Sequence, residues 1–132
     1  MNPELIIKAL LGNPAIVALC GDRCALAQLP QNTAMPAIVY QVVDAQPRPH
    51  VNYATEPQIA VARIQINPLA QDIAKVKAIH TALRSVLDLK HNTIVAGKRV
   101  VSCRFSMLGS MDKDNEAGVW TQPVDYVLMW YE

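Results

Sequence analysis

The chain has 132 residues, 52% of them hydrophobic and 17% charged, enough apolar content for one core and too little length for a second, which predicts a single domain over residues 1–132 and excludes a disordered chain. Twelve basic against eleven acidic side chains give a formal net charge of +1, without the basic footprint of a dedicated nucleic-acid binder. The charged fraction falls below the roughly one quarter of an average domain, as it does at subunit interfaces.

The first elements carry their own start and stop signals. Pro3 suits the first turn of a helix, Glu4 complements its dipole, and Leu5, Ile6, Ala9 and Leu10 recur at helical spacing until Gly12. Asn13-Pro14 repeats the cap-plus-proline device for a second short helix, Ala15 to Cys20, ended by Gly21. Arg23 to Gln31 is short and closed by Pro30, an edge strand or an irregular crossing segment. Ala37 to Val43, rich in β-branched residues, reads as a strand. Asp44 to Thr55 holds Pro47, Pro49, His50 and Asn52 with little periodicity, the pattern of a long exposed loop.

A strand is predicted over Gln58 to Ile66, with Ala60, Ala62, Ile64 and Ile66 on one face and Arg63 and Gln65 on the other. Ile59 and Val61 break the alternation, as expected where both faces are covered. Leu69, Ile73, Val76, Ile79, Leu83 and Val86 recur at steps of three and four, which predicts a long helix over Pro68 to Leu89 with Asn67 as its N-cap. From Lys98 the period changes to two, with Val101, Cys103, Phe105 and Met107 opposing Ser102, Arg104 and Ser106. A polar loop, Gly109 to Glu116, leads to a last strand, Val119 to Tyr131, expected to pair with its predecessor as a hairpin. Pro123 within it removes a ladder donor, so an edge position or a bulge is expected. The fold class is α+β: an antiparallel sheet of about four strands packed against one long helix and short N-terminal helices.

The residues that could carry chemistry are sparse. Cys20, Cys24 and Cys103 are odd in number, and no export signal precedes them: Glu4 stands where a signal peptide is basic, and no apolar run approaches the roughly 20 residues of a membrane span. A cytosolic protein with reduced, partly buried thiols is the expectation. Cys20 and Cys24 with His50, His80 and His91 could supply zinc ligands, but a Cys-x3-Cys without a second matched pair is a poor pattern. Asp112, Asp114 and Glu116 alternate like the opening of a calcium loop, yet Ala117 stands where such a loop needs glycine. No nucleophile elbow, phosphate loop or dinucleotide fingerprint is present. Cys103 on an apolar strand face reads as core before it reads as a nucleophile. No enzyme activity, metal or cofactor is expected.

The order of elements, with Leu29-Pro30-Gln31 followed by Met35-Pro36-Ala37-Ile38-Val39, the long helix after a strand, and Ala96-Gly97-Lys98-Arg99-Val100-Val101, resembles the tail-completion, or tail-terminator, family of bacteriophages with long non-contractile tails. The resemblance covers nearly the whole chain and rests on structural phrases, none of them catalytic. It implies a virion protein that forms a ring, usually of six copies, at the head-proximal end of the tail tube. There it would stop polymerisation and present a surface for head joining. The implied partners are copies of itself, the tail-tube protein and a head-side connector or stopper protein; no membrane is implied, and DNA only in transit through the lumen. Both loops are longer than a hairpin requires and neither has apolar periodicity, so they are the expected contact segments. The interface candidates are Arg48, His50 and Tyr53 in the first loop and Asp112, Lys113 and Asp114 in the second. Alternatives are another neck or minor-tail structural protein, or a small metal- or ligand-binding module.

Overall fold

A computed structural model describes residues 1–48, 58–88 and 90–132. Two short helices, α1 (Pro3–Leu11) and α2 (Pro14–Cys20), precede β1 (Cys24–Leu26), β2 (Ala37–Arg48) and β3 (Ile59–Ala70). Helix α3 (Ile73–Leu87) follows, then β4 (Lys90–Val95), β5 (Lys98–Leu108), β6 (Asp112–Asp114), β7 (Val119–Thr121) and β8 (Val124–Tyr131). Among the described residues these strands form one eight-stranded sheet with the order β1-β2-β3-β8-β5-β4, and β7 joins β3 to the outlying β6. Only β1 runs parallel to its neighbour.

The sheet therefore has twice the strands expected from the periodicity. Part of the difference is β4, which the sequence reading left unassigned, and part is the division of the last strand at Pro123. Strand β4 turns into β5 through Ala96 and Gly97, both at positive φ (52° and 78°), the pair of left-handed residues that a two-residue hairpin loop requires. His91, one of the residues weighed as a zinc ligand, lies in β4 opposite Ser102. Strand β8 is not an edge: it sits between β3 and β5, and Pro123 falls in the break between β7 and β8, where no ladder donor is missed.

Two boundaries also move. Strand β3 runs on through Pro68 to Ala70, because Asn67 and Pro68 pair with Val39 and Ile38 of β2. The helix starts at Ile73 instead of Pro68, and Asp72 is its N-cap, with Oδ1 accepting from Lys75 N at 2.8 Å. The expected loop from Asp44 is strand up to Arg48, since β2 continues to that residue opposite Ile59 after a bulge at Val43; the rest of that expected loop lies outside the described residues. Beyond Tyr40, β2 has no neighbour on its β1 side among the described residues, an edge on which Pro47 is tolerated.

One face of the sheet carries all three helices. Ile38, Tyr40, Ala60, Ala62, Ile64, Ile66, Val100, Cys103, Val124, Tyr126, Leu128 and Trp130 meet Val76, Ile79, Leu83, Val86 and Leu87 of α3 and the buried residues of α1 and α2 in one core. Polar ties hold α3 at both ends. Lys77 Nζ donates to Gln122 Oε1 (2.8 Å), and Gln122 Nε2 donates to the Gly109 carbonyl (2.9 Å). At the other end Asp88 accepts from Arg84 Nε (3.2 Å) and from Phe105 N (2.8 Å), with the Arg84 guanidinium 4.6 Å above the Phe105 ring. A Cβ at Gly109 would sit 2.7 Å from Pro123 Cγ, so only glycine lets the β5–β6 link close on the β7–β8 break.

Candidate protein–protein interface

Among the described residues, the second face of the sheet has no helix over it. Its side chains follow from the alternation of each strand and stand in rows across it. Arg48, Ile59 and Tyr131 form one row; Gln46, Val61, Met129, Ser102 and His91 the next; Asp44, Arg63, Val127 and Arg104 the third; Gln41, Gln65, Asp125 and Met107 the fourth. Ile59 and Val61, read in the sequence as a sign that both faces are covered, lie here half-buried among their neighbours' side chains, and no described element lies over them.

A polar band crosses the middle. Arg63 Nη1 lies 3.1 Å from Asp125 Oδ2 and donates to Ser106 Oγ at 3.3 Å, while Gln41 Nε2 donates to Gln65 Oε1 at 2.9 Å. Below it stand Val61, Val127, Met129 and Tyr131. Ile94 on β4 is 67% exposed and Met107 57% exposed. Arginine, methionine, tyrosine and aliphatic side chains on one face are the composition of an interface core, where lysine is depleted. A shallow cleft of about 410 Å3 lies at the upper end of this face, between Val39, Gln65, Asn67, Leu69, Asp112, Thr121 and Pro123.

The interface candidates divide between the two ends of β3. Arg48 is exposed at the end of β2, opposite Ile59; His50 and Tyr53 lie outside the described residues. Asp112, Lys113 and Asp114 are the exposed strand β6, paired with β7, which in turn pairs with Leu69 and Ala70 of β3. Ten residue steps separate Ile59 from Leu69, so the two groups stand about 33 Å apart along the strand. They are not one site.

What was read as a polar loop is a built hairpin. Asp114 Oδ1 accepts from Glu116 N (3.1 Å) and Ala117 N (3.3 Å), Gly118 N donates to the Asp114 carbonyl (2.8 Å), and Gly118 takes φ 66°. Lys113 Nζ lies 5.5 Å from the centre of the Trp120 ring. Asp114 is thus spent on the turn, and Lys113 on a cation–π contact. Of the hairpin's other carboxylates, Glu116 stands exposed at the tip and Asp112 exposed at the base of β6.

The cysteines are free, with Cys20 and Cys103 buried. Burial pushes the Cys20 thiol up to about 11 and the Cys103 thiol up to about 12, and it raises Cys24 as well. Protonated thiols are poor metal ligands and poor nucleophiles, and no cluster of His, Cys, Asp and Glu among the described residues could hold a metal ion. His80, on α3, has Nε2 buried and without a hydrogen-bond partner among the described residues; burial lowers its pKa.

The bare face itself went unread in the sequence. The signal was there in the mixed register of β3, where Ile59 and Val61 alternate into the same face as Arg63 and Gln65.

These features define a class: a two-layer α+β structural subunit whose exposed sheet face and stiff hairpin suit it to packing on other protein. The family is more specific. Residues 4–125 match the tail completion protein gp17 family, and the chain belongs to it. It is a structural protein of the bacteriophage tail. The fold is similar to that of a chain in the solved virion of a native gene transfer agent particle, with a TM-score of 0.70 at 14% identity, covering 98% of this chain and 93% of that one. No curated protein sequence matches.

Proposed function

We propose that the protein assembles as a closed ring, of six copies, on the head-proximal end of the tail tube, where it ends tube polymerisation and forms the surface to which the head is joined. Membership of the tail completion family over residues 4–125 carries this reading. The structure adds two supports. Among the described residues the sheet has a bare face and edges at β1 and β4, which offer unlike surfaces to unlike neighbours, and a heterologous contact that closes on itself limits growth. The contact groups around Arg48 and around Asp112, Lys113 and Asp114 leave opposite ends of β3, so one subunit can meet different proteins above and below. Arg48, with His50 and Tyr53 beyond it, and the β6 residues are the proposed contacts. The partners are further copies of this chain, the tail-tube protein and a head-side connector or stopper protein. DNA passes only through the lumen, assembly takes place in the host cytoplasm, and neither a membrane nor a cofactor takes part.

The test is removal. Phage lacking the protein should accumulate tails of irregular, excessive length beside full heads, and the added protein should restore joining. Tails of normal length that still join heads would overturn the reading. Native mass spectrometry of the purified protein, alone and with tube ends, reads the copy number.

A further inference from the structure

The distribution of charge over the two layers suggests how one copy meets the next. The chain has six arginines, and four of them, Arg48, Arg63, Arg99 and Arg104, project from the bare face, by the register of β2, β3 and β5; no lysine does so. Among the described residues of β2, β3, β5 and β8, Asp44 and Asp125 oppose them there, and Asp112 of β6 borders the upper end of the same face. Arg63 is satisfied by Asp125 and Ser106, and Arg99 Nη1 by Asn92 Oδ1 at 2.7 Å. Arg104 is exposed beside Val127 and takes part in none of the ion pairs found among the described residues.

The β6–β7 hairpin carries the opposite charge, with Asp112, Asp114 and Glu116 against Lys113. Its register sets Trp120 beside Ala70, the last residue of β3, so the tip from Asn115 to Gly118 reaches past the end of the sheet. The hairpin cannot neutralise its own subunit's Arg104. That arginine shares a row with Arg63, six residue steps from Leu69, about 20 Å along the strand and beyond a screening length of about 10 Å. The tip's backbone is already closed by hydrogen bonds to Asp114 and by the Gly118 turn, so docking it has chiefly side chains to order.

The geometry points to a subunit contact in which the acidic β6–β7 hairpin of one copy lies on the bare face of the next, with Glu116 against Arg104 over the apolar floor of Val61, Val127 and Met129. This rests on the ring proposed above and names its lateral interface. The two patches differ, so the contact is heterologous and can propagate around a ring. Arginine suits it better than lysine, because its planar fork takes a carboxylate bidentately while its stem packs on apolar side chains.

Charge reversal tests it in the full-length chain. R104E and E116R change exposed side chains, so each variant should keep the wild-type melting profile. Each should shift the concentration of half-assembly upward by roughly tenfold or more, as loss of a close charge pair does. The double variant R104E/E116R should assemble again. Single variants that assemble like wild type, or a double variant no better than the singles, would overturn the contact. So would R104E rings that form normally but no longer bind tube ends, since the bare face would then take the tube protein. Wild-type protein that never forms a ring, with or without tube ends, defeats the ring itself and is a separate result.

Discussion

The two faces of this sheet are built from the same strands and differ in what covers them. On the helix side, Ala60, Ala62, Ile64 and Ile66 are wholly buried. On the other, Ile59, Val61, Arg63 and Gln65 alternate with them and stay half-exposed. Burial on the first face stabilises the fold at roughly 25 cal/mol for each Å2 of apolar surface removed from water. The second face gains little of this in a single copy. One set of strands thus supports the fold with one side and leaves the other for partners.

That contrast can be broken most sharply by matched truncations. Leu83→Ala, on α3 in the core, should lower stability by about 2 to 5 kcal/mol, enough to unfold much of the population near body temperature in a denaturant or thermal melt. Met129→Ala, on the bare face, should cost less than about 1 kcal/mol in the separate subunit and yet weaken assembly in sedimentation experiments. Equal losses of stability at the two positions would mean that the faces are not distinct.

A smaller effect tests the polar ties beneath the helix. Gln122→Leu leaves the Lys77 ammonium and the Gly109 carbonyl without their partner, at about 1 to 3 kcal/mol, read as a lower midpoint in urea. Cys103→Ser places a hydroxyl in the apolar core at a comparable cost of about 1 to 3 kcal/mol, and the variant should still assemble.

Alkaline pH sharpens the comparison further. Burial pushes the Cys103 thiol and the Tyr126 phenol each up to about 12 in the folded protein. Both groups hold their protons longer folded than unfolded. Their contribution is complete below the unfolded values and is lost as pH rises from about 9 toward 12. The melting temperature should fall across that range, and less steeply in Tyr126→Phe. At the acid end His80, lowered by burial, contributes stability above about pH 6.5 that is lost as pH falls through its folded value.

The smallest thermal effect belongs to the ends of β3. Arg48→Ala and Lys113→Ala should each move stability by less than about 0.5 kcal/mol while lowering the yield of finished particles in a complementation assay. Full complementation by both would leave these positions as spacers.

Much of the covered face was legible in the sequence. The stripe from Ile73 to Val86 and the paired starts Pro3 and Pro14 are local signals, and those helices stand near their expected places; the alternation around Cys103 located β5, but two bulges put Val100 in the core in place of Val101 and turn Met107 onto the bare face. The errors lie where a neighbour decides. Pro68 is an ordinary helix-start residue until β2 pairs with it, and Pro123 suggests an edge until the break before β8 removes the conflict. β4 was missed because Lys90-His91-Asn92-Thr93 has no apolar alternation and is held by β5. The family was visible in the order of short phrases. The bare face was not, because periodicity tells which residues share a side and is silent on whether anything lies over it.

The position of β8 has a consequence for synthesis. It is the last of these strands to leave the ribosome, yet it is inserted between β3 and β5, joining the β1-β2-β3 half of the sheet to the β5-β4 half. Until residues 124–131 emerge, neither half has its central neighbour. The sheet can close only after translation has passed that point, and pairings so distant along the chain form slowly. A nascent subunit therefore lacks a finished bare face, and cannot join a growing assembly before its own fold is complete.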